Sequence, residues 1–89
     1  MTTYIISYDL NAPGQNYTDL FEAIKGSGTW WHHLDSTWIV KSNLSAKQIR
    51  DTLSPTLDSN DKVLVAALSG VAAWKGFNDK GSKWLKDNL

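Results

Sequence analysis

The stretch "STWIVKSNLSAKQIRD", residues 36–51, decides the fold. Its first half, Thr37 to Lys41, is rich in β-branched and aromatic side chains, which fit a pleated surface and predict a strand. Its second half opens a helix. Ser45 and Gln48 form an S-x-x-Q capping box, in which each side chain satisfies the other residue's free backbone donor. Leu44 before the cap and Ile49 at the fourth helical position are the matching hydrophobic staple. Ile49 and Leu53 mark the inner face. Pro55 ends the helix, because the residue before a proline resists helical geometry.

Upstream, "TYIISYDL" (3–10) reads as another strand. Alternation puts Tyr4, Ile6, Tyr8 and Leu10 on one face and Ile5, Ser7 and Asp9 on the other. The nearly continuous apolar character predicts a central strand covered on at least one face. Pro13-Gly14 marks a loop over 11–16. Tyr17, Leu20, Phe21 and Ile24 then recur at helical spacing, with Asn16 or Thr18 as cap and Gly26 and Gly28 as the stop. "TWWHHL" (29–34) is a strand joined to the one at 37–41 by Asp35-Ser36, as a hairpin.

Downstream, "DSNDKVLVAALSG" (58–70) is a turn followed by a fourth strand, Lys62 to Leu68. In the tail, Asn78 or Asp79 caps a short helix that buries Trp84 and Leu85, with Lys80, Lys83 and Lys86 on its wet side. The order strand, helix, strand, strand, helix, strand predicts an α+β, ferredoxin-like βαββαβ sandwich. It carries a four-stranded antiparallel sheet with both helices on one face, the other face open, and a short helical tail. The chain reads as a single domain, 1–89, with its core over 3–69 and its tail over 70–89.

A chain of 89 residues has a thin core. An open sheet face on so small a domain predicts a partner, and a homodimer is the expectation. There is no cysteine, which fits a reducing cytoplasm. No apolar run reaches the ~18 residues of a membrane span, and no secretory signal is expected at the N-terminus. Net charge is zero, with the first half slightly acidic and the second slightly basic. That composition argues against gripping RNA or DNA by charge alone.

The residues also carry a resemblance. An apolar strand ending in Tyr-Asp, as in "YIISYDL", resembles the opening of the small CRISPR-associated protein at the dimeric centre of the spacer-integration complex. "STWIVKSNLSAKQIRDTL" is similar to that family's "S-V-[FY]-x-x-x-L" strand and following helix, and "DSNDKVLVAAL" to its acidic turn and final strand. The virulence-associated protein D family of small toxin-like ribonucleases shares this scaffold. The resemblance covers roughly residues 3 to 69. It implies a ferredoxin-like homodimer and, in members with nuclease activity, an aspartate at the end of the first strand that helps bind a divalent metal. The matching position is Asp9. The basic residues common before the third strand are replaced here by "WWHHLD".

The candidate site residues follow from both readings. Asp9 is the candidate catalytic and metal-binding carboxylate, since magnesium needs only one or two carboxylates beside water and phosphate oxygens; alternatively it caps the strand or bonds the 11–16 backbone. His32 and His33 point to opposite faces, so one of them at most serves a site. His33 is the candidate general acid or base, against a structural role in the sheet. Trp31, His32, Lys75 and Lys83 are the candidate nucleic-acid contacts, by stacking and by charge. Against this stand a core tryptophan and a solvated helix face. Three functions remain open: a magnesium-dependent endonuclease, a noncatalytic dimeric module binding nucleic acid or a nucleotide, and an interaction component of a toxin–antitoxin or phage-defence system.

Overall fold

The computed structural model describes residues 1–11 and 16–89, so the expected Pro13-Gly14 turn lies outside the described residues. The protein is α+β, with a four-stranded antiparallel sheet and three helices. The elements are β1 (Thr2–Asp9), α1 (Thr18–Lys25), β2 (Thr29–Leu34), β3 (Thr37–Ser42), α2 (Ala46–Leu53), a 3-10 turn at Ser54–Thr56, β4 (Lys62–Ala67) and α3 (Asp79–Asn88). The strand order is β2-β3-β1-β4. No helix among the described residues is long and apolar enough to cross a membrane.

β1 is central, antiparallel to β3 on one side and to β4 on the other. Its alternation sends Tyr4, Ile6 and Tyr8 into the main core. There they meet Trp38 and Val40 of β3, Leu20 and Ile24 of α1, and Ile49 and Leu53 of α2. Full burial of an aliphatic side chain contributes about 1.5–3 kcal/mol, so this layer holds α1 and α2 to one face of the sheet.

The capping box at Ser45 forms in full. The Gln48 N–H donates to Ser45 Oγ at 3.1 Å, and the Ser45 N–H donates to Gln48 Oε1 at 2.9 Å. α1 starts differently: the cap position belongs to Tyr17, and the Asn16 side chain accepts from both the N–H and the hydroxyl of Thr18. Gly26 closes α1 with ordinary helical geometry, φ −73°. Its lack of a Cβ is therefore not what stops the helix. Gly28 is different: a Cβ there would lie 2.1 Å from the Lys41 carbonyl oxygen, where β2 begins to run beside β3.

The second face of the sheet is not left open, which corrects the expectation. The tail folds back and builds a second core on the β2–β3 half. Trp31 and Ile39 face Leu85 of α3, flanked by Trp74, Phe77 and Trp84. α3 is capped by Asn78, whose Oδ1 accepts from the Gly81 N–H at 2.8 Å. The tail ends against β1, where the Thr3 hydroxyl donates to the Asn88 carbonyl at 2.8 Å. Among the described residues nothing covers the β4 half of this face, and Leu64 there is 61% exposed.

The two glycines separate by experiment. Gly28→Ala should lower unfolding stability by about 1–3 kcal/mol, because backbone must move to admit the methyl group. Gly26→Ala should leave stability unchanged or raise it by up to about 1 kcal/mol, since helical φ suits alanine. Urea denaturation followed by tryptophan fluorescence measures both.

Candidate functional site

Asp9 ends β1 opposite Lys62 of β4, on the uncovered half of the sheet. It lines a shallow depression of about 210 Å³ with Ser7, Tyr8, Lys62, Val63 and Leu64. Its carboxylate is exposed and makes no hydrogen bond or ion pair among the described residues. Within one chain Asp9 stands as a single carboxylate. Among the described residues, no group of three or more histidines and carboxylates converges anywhere. The cross-strand neighbour of Asp9 is a lysine, so the chain sets a cation and not a second carboxylate beside it. A metal at Asp9 therefore requires donors from outside this chain.

The loop-bonding role considered for Asp9 belongs to Asp61. Its Oδ1 accepts from the Asn11 N–H at 2.7 Å, and its Oδ2 accepts from the Asp58 N–H at 2.8 Å. The Tyr17 hydroxyl reaches both oxygens, at 2.9 and 3.0 Å. Asn11 adds a bond from its Nδ2 to the Asn60 carbonyl. One carboxylate thus ties the end of β1, the turn before β4 and the start of α1 together. Burial by itself raises the Asp61 pKa. The two backbone donors and the tyrosine hydroxyl more than offset that and hold it below the ordinary 3.8. The signal was present in "DSND" at 58–61, a run of residues that bond nearby backbone.

The two histidines lie on opposite faces, as alternation requires. His32 is on the α1–α2 face, stacked on Trp38 with ring centroids 3.7 Å apart and planes 10° apart. Trp38 Nε1 donates to the Tyr8 hydroxyl at 2.9 Å, and Phe21 of α1 lies over His32, Trp38 and Tyr8 at 6.0–6.4 Å. His32 is thus one rung of an aromatic ladder across β2, β3 and β1. Burial pushes the Tyr8 phenol up, against the lowering effect of the Trp38 bond.

His33 faces α3. A Cβ at Gly81 would stand 3.2 Å from its ring, so glycine is what lets the imidazole lie over the first turn of the helix. β3 intervenes between β2 and β1, so about 10 Å of sheet separates His33's strand from that of Asp9. The two do not meet on one scissile bond within one chain. Within one chain Asp9 and His33 therefore stand apart on the sheet.

Trp31 is only 3% exposed. Its Nε1 donates to the Gly81 carbonyl at 3.1 Å, and Phe77 packs edge-on against it at 4.8 Å. It anchors the tail and has no face for a base to stack on. Trp30, its neighbour, is the half-exposed one, with the Lys25 ammonium 5.2 Å from its ring. Lys83 is exposed and bonded to Asp87 at 2.6 Å, one turn along α3, and that bond raises its pKa. Lys75 is exposed in the segment before α3, on the rim of an apolar slot walled by Trp31, Trp74 and Phe77. The four residues expected to touch nucleic acid do not share one surface: His32 and Trp31 occupy opposite faces of β2.

Comparisons with protein-family models, with curated proteins and with solved structures returned no match to this chain.

Asp61 makes a pH prediction. A carboxylate with a depressed folded pKa contributes stability that is fully present above its unfolded pKa and is lost as pH falls through the folded one. Wild-type urea midpoints should therefore hold down to about pH 4 and drop below it. Asp61→Asn should be less stable at neutral pH and show a flatter acid limb. A variant with the wild-type acid limb would show that this carboxylate carries no such linkage.

Proposed function

We propose that this chain is a ferredoxin-like βαββαβ domain that works as a homodimeric, noncatalytic interaction module. The strand order β2-β3-β1-β4, with α1 and α2 on one face, supports the ferredoxin-like reading. One observation carries the function: among the described residues nothing covers the β4 half of the second face, and it exposes a large apolar side chain, Leu64. Two of the candidate contacts for nucleic acid are otherwise engaged, Trp31 in the second core and Lys83 with Asp87. A net charge of zero supports a protein partner over a polyphosphate one. The resemblance to small CRISPR-associated and virulence-associated proteins supports a place in a defence or toxin–antitoxin assembly.

A metal-dependent endonuclease is the second reading. The observation in its favour is Asp9, exposed and without a bonding partner among the described residues, beside an open depression. A magnesium ion there would be held by Asp9 together with water and phosphate oxygens, and a second copy could add another carboxylate.

Two measurements test the pair. Sedimentation velocity at micromolar concentration should show a dimer, and a strictly monomeric chain ends the module reading as stated. Incubation of labelled RNA and DNA with the protein and magnesium or manganese should leave both intact. Cleavage that disappears in Asp9→Ala, with the dimer preserved, would establish the nuclease instead.

A further inference from the structure

The two edges of the sheet are unequal. β2 is interrupted by a bulge between Trp31 and Leu34, which bends a strand away from regular pairing. β4 pairs with β1 without a register shift, contains no proline, and has one charged residue, Lys62, at its first position. Among the described residues, no strand pairs with its outer side. An unblunted edge of this kind is a template for another strand.

The backbone directions along β4 follow from one bond. The Leu68 N–H donates to the Thr3 carbonyl of β1. Alternation then turns Ala66, Leu64 and Lys62 toward β1, and points the N–H and C=O groups of Val63, Val65 and Ala67 outward. The side chains of Val63 and Val65 pack into the main core, which fixes the rotation of the strand. Leu64 stands on the opposite, uncovered face.

We propose that β4 pairs antiparallel with β4 of a second copy across a two-fold axis at Leu64, joining the two sheets into one. This rests on the homodimer reading above and specifies its surface. In that register Val63 of one copy exchanges backbone hydrogen bonds with Val65 of the other, the residues whose polar groups point outward. Leu64 meets its counterpart in the closer, non-hydrogen-bonded kind of pair, so each exposed leucine covers the other. A shift of one residue would set outward-facing groups against inward-facing ones and lose the bonds. Lys62 falls opposite Ala66, so the strand's own charge does not meet its counterpart, and Lys47 and Arg50 of α2, which flank Val63 to Val65, are each paired with Asp51. The same patch serves both copies, as a closed two-fold contact requires.

The geometry has a chemical consequence. Asp9 lies one strand inside β4, so three strand spacings separate the two copies' Asp9 residues, at least ~14 Å. One magnesium ion reaches ligands at about 2.1 Å. This assembly and a metal shared between two Asp9 carboxylates exclude each other.

Because the chain has no cysteine, single-cysteine variants report the interface directly. Leu64→Cys should oxidise to a covalent dimer on a non-reducing gel at micromolar concentration, and Asp9→Cys should not. Leu64→Lys places two ammonium groups at the axis. It should weaken the dimer at least about tenfold in sedimentation equilibrium, with an unchanged circular dichroism spectrum because Leu64 is exposed in the single chain. A dimer that tolerates Leu64→Lys, or one in which Asp9→Cys cross-links and Leu64→Cys does not, overturns this interface while leaving homodimerisation standing. A wild-type chain that stays monomeric overturns both, and leaves the β4 edge to a strand from another protein.

Discussion

β1 is hydrogen-bonded along both sides, and the rest of the chain is arranged to cover the two faces it presents. Tyr4, Ile6 and Tyr8 take the whole of one face into the core under α1 and α2. The other face carries Ile5, Ser7 and Asp9, a mixture that does not support a second full layer. The tail covers the β2–β3 side, where Trp31 and Ile39 are large and apolar, and stops short of the β4 side. The division of that face into a covered and an uncovered half is therefore set by side-chain chemistry along the strands.

The same division governs which residues are free to do chemistry. His32 stacks on Trp38 of the main core, and Trp31 holds the tail through its indole N–H. Residue types that attract attention in a sequence, Trp31, Trp38 and His32 above all, are here devoted to packing, while Trp30 and His33 stay exposed. A small domain has few other means of burying enough apolar area. Asp61 takes the structural carboxylate role at the end of β1, through bonds to Asn11, Asp58 and Tyr17. Asp9 is exposed opposite Lys62.

An uncovered face and an unprotected edge meet along β4. The strand's inward side chains are committed to the core, while its outward backbone groups and Leu64 are not. A partner that adds a strand satisfies both at once.

Local chemistry was sufficient to read the elements. The capping box at Ser45 and Gln48, the helical spacing of Leu20 and Ile24, and the alternation along β1 each act within a few residues, so they are written in the chain itself. The exposed and buried members of the Trp30-Trp31 pair were legible as a pair, but which one was buried was not. That depended on a tail fifty residues away, whose Gly81 carbonyl accepts the Trp31 indole N–H. Asp61 was missed in favour of Asp9 for the same reason: both are turn-adjacent carboxylates, and only the meeting of Asn11, Asp58 and Tyr17 in space selects one. Short-range periodicity and capping, fixed by backbone geometry, determined the helices and strands. Long-range packing, which brings together residues that the chain keeps far apart, decided how the second face was covered and which polar groups were left to the surface.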